Sequence, residues 1–160
     1  MLDAIHQQVE KHLHVMVYGE YLQAAQTRAA QALTSVLPDA LNCCYFVNSG
    51  TEAIEAALKL AKRVTGRTQL IACKGGYHGN THGSMSVSYN EKKKSAFRPL
   101  IPDVAFIGFN SMDDLSDITP ATACVLAETI QGDAGVRIPD LAWMLALRKR
   151  CDETGALLIL

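Results

Sequence analysis

"CCYFVNSGTEAIEAALKLAKRVTGRTQLIAC", residues 43 to 73, changes its hydrophobic period twice. Residues 43 to 47 are a short continuous apolar run, 51 to 65 carry apolar residues at helical spacing up to Gly66, and 69 to 73 are continuously apolar again. The pattern predicts strand, helix, strand. A strand with no polar alternation needs both faces covered, so the stretch predicts an α/β protein with a mainly parallel sheet flanked by helices.

The same alternation continues outward. "DVAFIGF" (103–109), "ACVLAE" (123–128) and "ALLIL" (156–160) repeat the buried-strand pattern, and 140–153 is helical between the last two. Toward the amino terminus, 3–16 and 20–36 read as helices, the second closed by Pro38. The expected organisation is an amino-terminal helical segment, 1–36, leading into one α/β domain over 37–160. No repeat, low-complexity tract or linker interrupts it.

Composition narrows the function classes. The 160 residues are 49% hydrophobic and 19% charged, with 15 Lys and Arg against 16 Asp and Glu for a formal net charge of −1. Such a balance argues against a nucleic-acid or acidic-lipid surface. The basic run at 92–94 with Arg98 reads as a solvated loop face. No stretch has the length of a membrane span and the first residues lack a signal-peptide layout, so a cytoplasmic protein is expected. The five cysteines, with Cys43 and Cys44 adjacent and no CxxC pair, read as buried free thiols.

Three stretches leave predicted strands and break into glycine-bearing turns. In "NSGTE" (48–52) the backbone N–H groups at the start of a helix have no intrahelical partner, and the dipole turns its positive end toward the turn. Gly50 permits close approach of an anion, and Ser49 and Thr51 offer hydroxyl donors. Ser49 followed by Glu52 is equally a capping-box spacing, and the two readings are compatible. No G-x-x-x-x-G-K-[ST] occurs, and no G-x-G-x-x-G follows the first strand.

"CKGGYHGNTHGSMS" (73–86) follows the next predicted strand, so it faces the same crevice at the carboxyl edge of the sheet. Tyr77 either lays its ring on a flat ligand or is a core aromatic with a satisfied hydroxyl. His78 and His82 have the spacing of two helical zinc ligands, but Gly79 and Gly83 argue against a helix and the HExxH glutamate is missing. No metal is expected, and His12 and His14 read as polar-face residues of a helix. In "CVLAETIQGDAGVRIP" (124–139), Glu128 ends an apolar strand, where a carboxylate needs a partner or a function. Asp133 and Arg137 read as loop surface on chemistry alone.

Taken in order, "HVMVYGEYLQAAQTRAAQAL", "FVNSGTEAIEAALKLAKRVTGR", "GGYHGNTHGSMSVS" and "ETIQGDAGV" through "LRKRCDETGALLIL" resemble the class III, ornithine-type aminotransferases of fold type I, which use pyridoxal 5'-phosphate. The resemblance covers nearly the whole chain. It implies that Ser49, Gly50 and Thr51 hold the cofactor's phosphate, that Tyr77 stacks on its ring, and that His78 and Glu128 belong to the same cofactor site. It implies substrate-binding positions at Asn80 and at Asp133, the latter matching a residue, usually glutamate, that pairs with a mobile arginine. It also implies a homodimer, an amino donor and a keto-acid or aldehyde acceptor.

Departures are equally specific. Many ornithine-, acetylornithine- and aminobutyrate-type members carry arginine at the position of Asn80, and an amide cannot grip a substrate carboxylate through a charged fork. Thr129 replaces a usual proline. The aspartate that meets the pyridine nitrogen and the lysine that bonds the cofactor fall after Leu160 in the family, and no lysine here replaces the latter. These 160 residues are therefore expected to be the first part of a larger cofactor domain, without catalytic residues and inactive alone. Alternatives are a related aminomutase or decarboxylase, or a non-catalytic α/β phosphate-binding module.

Overall fold

The structure is a computed structural model, and it describes residues 1–11 and 20–160. The chain divides into two compact units, Met1–Phe46 and Val47–Leu160. His12 and His14, with the end of the helix predicted over 3–16, lie outside the described residues.

The first unit holds helices α1, Leu2–Lys11, and α2, Ala24–Thr34, neither of which buries a residue completely. The helix expected over 20–36 is shorter at both ends. Gln23 is extended at its amino end, and the Ser35 N–H closes the last turn on Gln31 and Leu33 carbonyls. The strand expected at 43–47 is absent: the segment carries no ladder to any described strand, and Tyr45, Phe46 and Val47 are exposed. Apolarity signals a surface that favours burial, whereas a strand also needs a neighbour for its N–H and C=O groups. Cys43 is exposed and Cys44 half-buried, against the expectation of burial for all five thiols.

The second unit begins with helix α3, Gly50–Thr65, and strand β1, Gln69–Cys73. It continues through two short helices, α4, His82–Val87, and α5, Glu91–Lys94, to β2, Val104–Ile107. Strand β3, Thr122–Leu126, helix α6, Leu141–Thr154, and strand β4, Leu157–Ile159, complete it. The sheet runs β2-β1-β3-β4 with every pair parallel, as the apolar runs predicted. Turns account for the sharp boundaries. Ser49 Oγ accepts from the Glu52 N–H at the start of α3, and Gly66 ends it in the left-handed conformation.

Strand alternation splits the core into two layers. Ile71, Cys73, Ile107, Val125 and Ala127 face Trp143, Leu147 and Cys151 of α6, while Leu70, Ala72, Cys124 and Leu126 face Leu58 and Ala61 of α3 and Val87 of α4. Both sheet faces are therefore covered, which is why the central strands lack polar residues. Burial pushes the Cys73 thiol up to about 12, with the Glu128 charge adding to the effect, and the Cys124 and Cys151 thiols up to about 11. At the amino edge of the sheet, Arg67 Nη1 donates to the Thr122 and Thr154 carbonyls, each at 3.0 Å. That guanidinium joins the chain entering β1 to the start of β3 and the end of α6.

Strand order fixes where a ligand can enter. From β1 the chain crosses to β2 on one side, and from β3 it crosses to β4 on the other, so the connections diverge between the carboxyl ends of β1 and β3. In an open parallel sheet that divergence leaves a crevice. The glycine-rich loop after β1 and the loop bearing Glu128 after β3 flank it.

Candidate functional site

The amino end of α3 lies at this crevice because α3 runs antiparallel to β1, which follows it. The Gly50 and Thr51 N–H groups bond no described residue, and a side chain at Gly50 would meet nothing within 4 Å. The cap works as predicted, with one shift: the Glu52 carboxylate accepts from the Asn48 N–H at 2.7 Å, one residue before the capping position. Ser49 thus caps the helix through its lone pairs, while the Gly50 and Thr51 N–H groups keep no partner among the described residues. Thr51 is different. Its hydroxyl lies 2.9 Å from Thr81 Oγ1 and 2.6 Å from Ser84 Oγ, so it is already engaged inside the protein.

That engagement explains two glycines. A Cβ at Gly79, whose φ is +133°, would fall 2.3 Å from Thr51 Oγ1, and a Cβ at Gly83 would fall 2.2 Å from Glu55 Oε2. Both positions let the loop after β1 lie directly on α3. The glycines had argued against a helix here, yet Gly83 sits inside α4. Glu55 Oε1 accepts from the Gly83 N–H at 2.8 Å and the Ser84 N–H at 3.1 Å, supplying the acceptors that the first turn of α4 lacks.

Tyr77 is on the surface, 41% exposed, and not a core aromatic. Its N–H donates to Glu128 Oε1 at 2.8 Å, and Glu128 Oε2 accepts from the Gly132 N–H at 3.0 Å. The carboxylate at the end of β3 therefore ties the two loops of the crevice together. His78 is buried, its N–H donates to Ser88 Oγ at 2.9 Å, and its buried Nε2 has no hydrogen-bond partner among the described residues. Burial lowers its pKa below the ordinary 6.5, against the opposing pull of the Glu128 charge. His82, the first residue of α4, is exposed, and no group of three potential metal ligands occurs among the described residues.

Tyr77, Asn80 and Asp133 line one cavity of about 510 Å³, with Lys93, Lys94 and Phe106 among its other walls. Ser49, Gly50, Thr51, His78 and Glu128 are not part of that lining. Asp133 is more than loop surface: Lys93 Nζ lies 3.1 Å from its Oδ2 and 5.2 Å from the centre of the Tyr77 ring. Arg137 stands over the Phe109 ring at 5.1 Å and donates to Gln131 Oε1.

The basic run at 92–94 is not wholly solvated. Lys94 is buried, donates to the Ser88 carbonyl at 2.8 Å and stands 4.6 Å from the Phe106 ring centre. Burial lowers its pKa, partly offset by Glu91, with Arg98 adding to the lowering. Two further residues escaped the sequence reading. Gln131 is fully buried and donates to the Lys74 carbonyl, and Glu55 shares the face of α3 that carries Leu58. Thr51, Glu55 and Leu58 follow the i, i+4, i+7 spacing of one helix face, so a carboxylate within that stripe was the signal available.

A parallel α/β sheet with a helix amino terminus and two joined loops at its divergence point places the chain in the open α/β class, an arrangement suited to an anion. The profile of the family described as Aminotransferase class-III matches residues 1–160, and the chain belongs to that family. It is 39% identical over 160 residues to the acetylornithine aminotransferase of Methanopyrus kandleri, covering 99% of this chain and 41% of the relative. It is 47% identical over 129 residues to the LysW-aminoadipate semialdehyde/glutamate semialdehyde transaminase of Sulfolobus acidocaldarius, covering 81% of this chain and 33% of the relative. The chain thus spans between a third and about two fifths of the length of these relatives.

Among solved structures, the adenosylmethionine-8-amino-7-oxononanoate aminotransferase of Methanocaldococcus jannaschii superposes with a TM-score of 0.87 at 28% identity, over 98% of this chain and 39% of that one. A transaminase from the marine bacterium Virgibacillus superposes with a TM-score of 0.89 over 98% of this chain and 40% of that one; at 23% identity it supports the fold. The fold type I assignment made from sequence agrees with these neighbours. No helix among the described residues is long and apolar enough to cross a membrane.

Proposed function

We propose that this chain supplies the phosphate-binding part, residues 37–160, of a pyridoxal 5'-phosphate-dependent aminotransferase. The enzyme would move an amino group from an amino acid or ω-amino compound to a keto acid or aldehyde. The observation that carries the reading, beyond family membership, is the pair of Gly50 and Thr51 N–H groups at the amino end of α3, which bond no described residue. An anionic ester would accept from both N–H groups at the positive end of α3, with the Ser49 hydroxyl proton as a third donor. The exposed Tyr77 ring would cover one face of a planar ring. Glu128 would hold the Tyr77 loop against the loop after β3, and the unpartnered His78 Nε2 would meet a polar group supplied by the completed site.

When bound, the cofactor supplies the electron sink for amine chemistry. The residues of this chain bind and orient it. For substrate, Asn80 and Asp133 would act from the cavity wall, and because Asn80 is uncharged it cannot form a bidentate ion pair with a carboxylate. We extend the proposal to a cytoplasmic homodimer on the strength of the family resemblance; sedimentation of an active monomer would refute the dimer.

Titrating the full-length protein with pyridoxal 5'-phosphate and with pyridoxal tests the phosphate reading. The expected result is clear preference for the phosphate ester, followed by amino transfer from an amine donor to a keto acid. Equal binding of the two would overturn the phosphate cradle. Phosphate-selective binding without amino transfer to any acceptor would overturn the activity.

A further inference from the structure

We infer that Glu55 is a positioning residue for the phosphate turn, acting through the hydroxyls of Thr81 and Ser84 on Thr51. The inference rests on the phosphate reading above and assigns the group that holds the turn in register. Glu55 is half-buried on α3, one turn after Thr51, and faces the loop after β1. Its Oε1 receives three donors: the Gly83 N–H at 2.8 Å, the Ser84 N–H at 3.1 Å and the Thr81 hydroxyl at 2.5 Å. Ser84 Oγ in turn lies 2.9 Å from Thr81 Oγ1 and 2.6 Å from Thr51 Oγ1, and the Thr81 N–H donates to Ser84 Oγ at 3.1 Å.

Proton counting gives the network a direction. The carboxylate can only accept, so Thr81 must spend its one hydroxyl proton on Glu55. Thr81 Oγ1 can then only accept from its hydroxyl neighbours, Ser84 and Thr51, which lie 2.9 Å away and have two protons for the three contacts that remain. The Thr51–Ser84 contact at 2.6 Å takes one proton from one of the two. The Thr81 rotor is thus set by Glu55, and Thr51 Oγ1 is held against Thr81 and Ser84 at the start of α4. Thr51 also carries one of the two N–H groups of the turn, so the residue that Glu55 helps hold against α4 is the one that bears that donor.

Gly79 and Gly83 are the steric half of the same arrangement, since a Cβ at either would collide with Thr51 or Glu55. The loop that bears Tyr77 and the turn that offers its N–H groups are therefore built as one unit. A helix cap alone would need Glu55 to meet only the Gly83 and Ser84 N–H groups; the continuation to Thr51 is what a cap does not require.

The test is the ratio of affinities for pyridoxal 5'-phosphate and pyridoxal in the full-length protein, measured by titration beside thermal melts. Loss of stability alone leaves this ratio unchanged, whereas misplacing the phosphate donors lowers it. Thr81→Val keeps the Glu55 bonds to the Gly83 and Ser84 N–H groups and removes the hydroxyl through which Glu55 reaches Thr51 and Ser84; it should lower the ratio about fivefold, the size of one hydrogen bond. Glu55→Ala should lower it about tenfold or more, and Glu55→Gln, which retains a carbonyl acceptor, should recover part of the loss. Wild-type protein with no preference for the phosphate ester would overturn the phosphate reading and this inference with it. A wild-type preference retained in full by Thr81→Val and Glu55→Gln, with only their melting points lowered, would overturn this inference alone. If Glu55→Ala does not fold, those two variants decide the question.

Discussion

Replacing Gly79 by alanine tests whether the loop after β1 is seated on α3 as described. Two costs are expected at that position. The first is conformational: φ is +133°, a region that L side chains rarely adopt, and strain of that kind costs about 1–3 kcal/mol. The second is steric, because the new Cβ would lie 2.3 Å from Thr51 Oγ1, 2.6 Å from Thr51 Cβ and 2.7 Å from Ser84 Oγ. The Ser84 hydroxyl can rotate away, but Thr51 Cβ is fixed to the first turn of α3, so overpacking adds about 1–3 kcal/mol. The sum, about 2–6 kcal/mol, is a large fraction of the stability of an ordinary domain. Denaturant melts of Gly79→Ala, Thr51→Gly and the double variant separate the two costs. The double variant removes the side chain in the way and leaves the strain, so the cycle should show a coupling of about 1–3 kcal/mol. A Gly79→Ala protein within about 0.5 kcal/mol of wild type would refute the seating, because a surface loop free of α3 costs no more than that. A large loss with zero coupling would refute the Thr51 contact and leave the strain.

Gly50→Val should separate binding from folding, since the space around Gly50 is open: melts should change little, while affinity for pyridoxal 5'-phosphate falls about tenfold or more as the branched side chain fills the approach. Unchanged affinity would mean the turn serves only as a cap. Lys94→Met should destabilise by about 1–3 kcal/mol in denaturant melts, because the Ser88 carbonyl loses its buried donor and Phe106 its cation; a neutral result would place that ammonium in solvent. His78 has a folded pKa below its ordinary 6.5, so as pH falls the unfolded chain takes up the proton first. Stability is therefore full above 6.5 and declines as pH drops through the lowered folded value, and His78→Gln should flatten that part of the stability curve.

Legibility in the sequence followed the physics of each signal. The strand at Gln69–Cys73 was read to the residue because a run that is apolar on both faces has few alternative fates. The ends of α3 were equally plain, since Ser49 and Gly66 carry specific cap chemistry. Residues 43–47 gave the same apolar signal without a neighbouring strand, and pairing is a property of two segments that one segment cannot announce. The hydroxyl cluster beneath Thr51 was invisible for a related reason: Glu55, Thr81 and Ser84 are brought together only when α4 lies on α3. Gly79 and Gly83 were noticed, but their composition suggested an irregular loop, whereas the fold uses the missing side chains to bring two backbones close. Lys94 was read with its neighbours as a basic run, and only three-dimensional packing shows that one of the three turns inward.

The Arg67 guanidinium, bonded to the carbonyls of Thr122 and Thr154, lies at the opposite edge of the sheet from every group assigned to ligand binding. Its consequence is evolutionary. A fold fastened at its far rim can exchange, lengthen or recolour the loops at the near rim without surrendering the alignment of its strands. Changes in those loops, such as asparagine at position 80 or threonine at position 129, leave this far fastening in place.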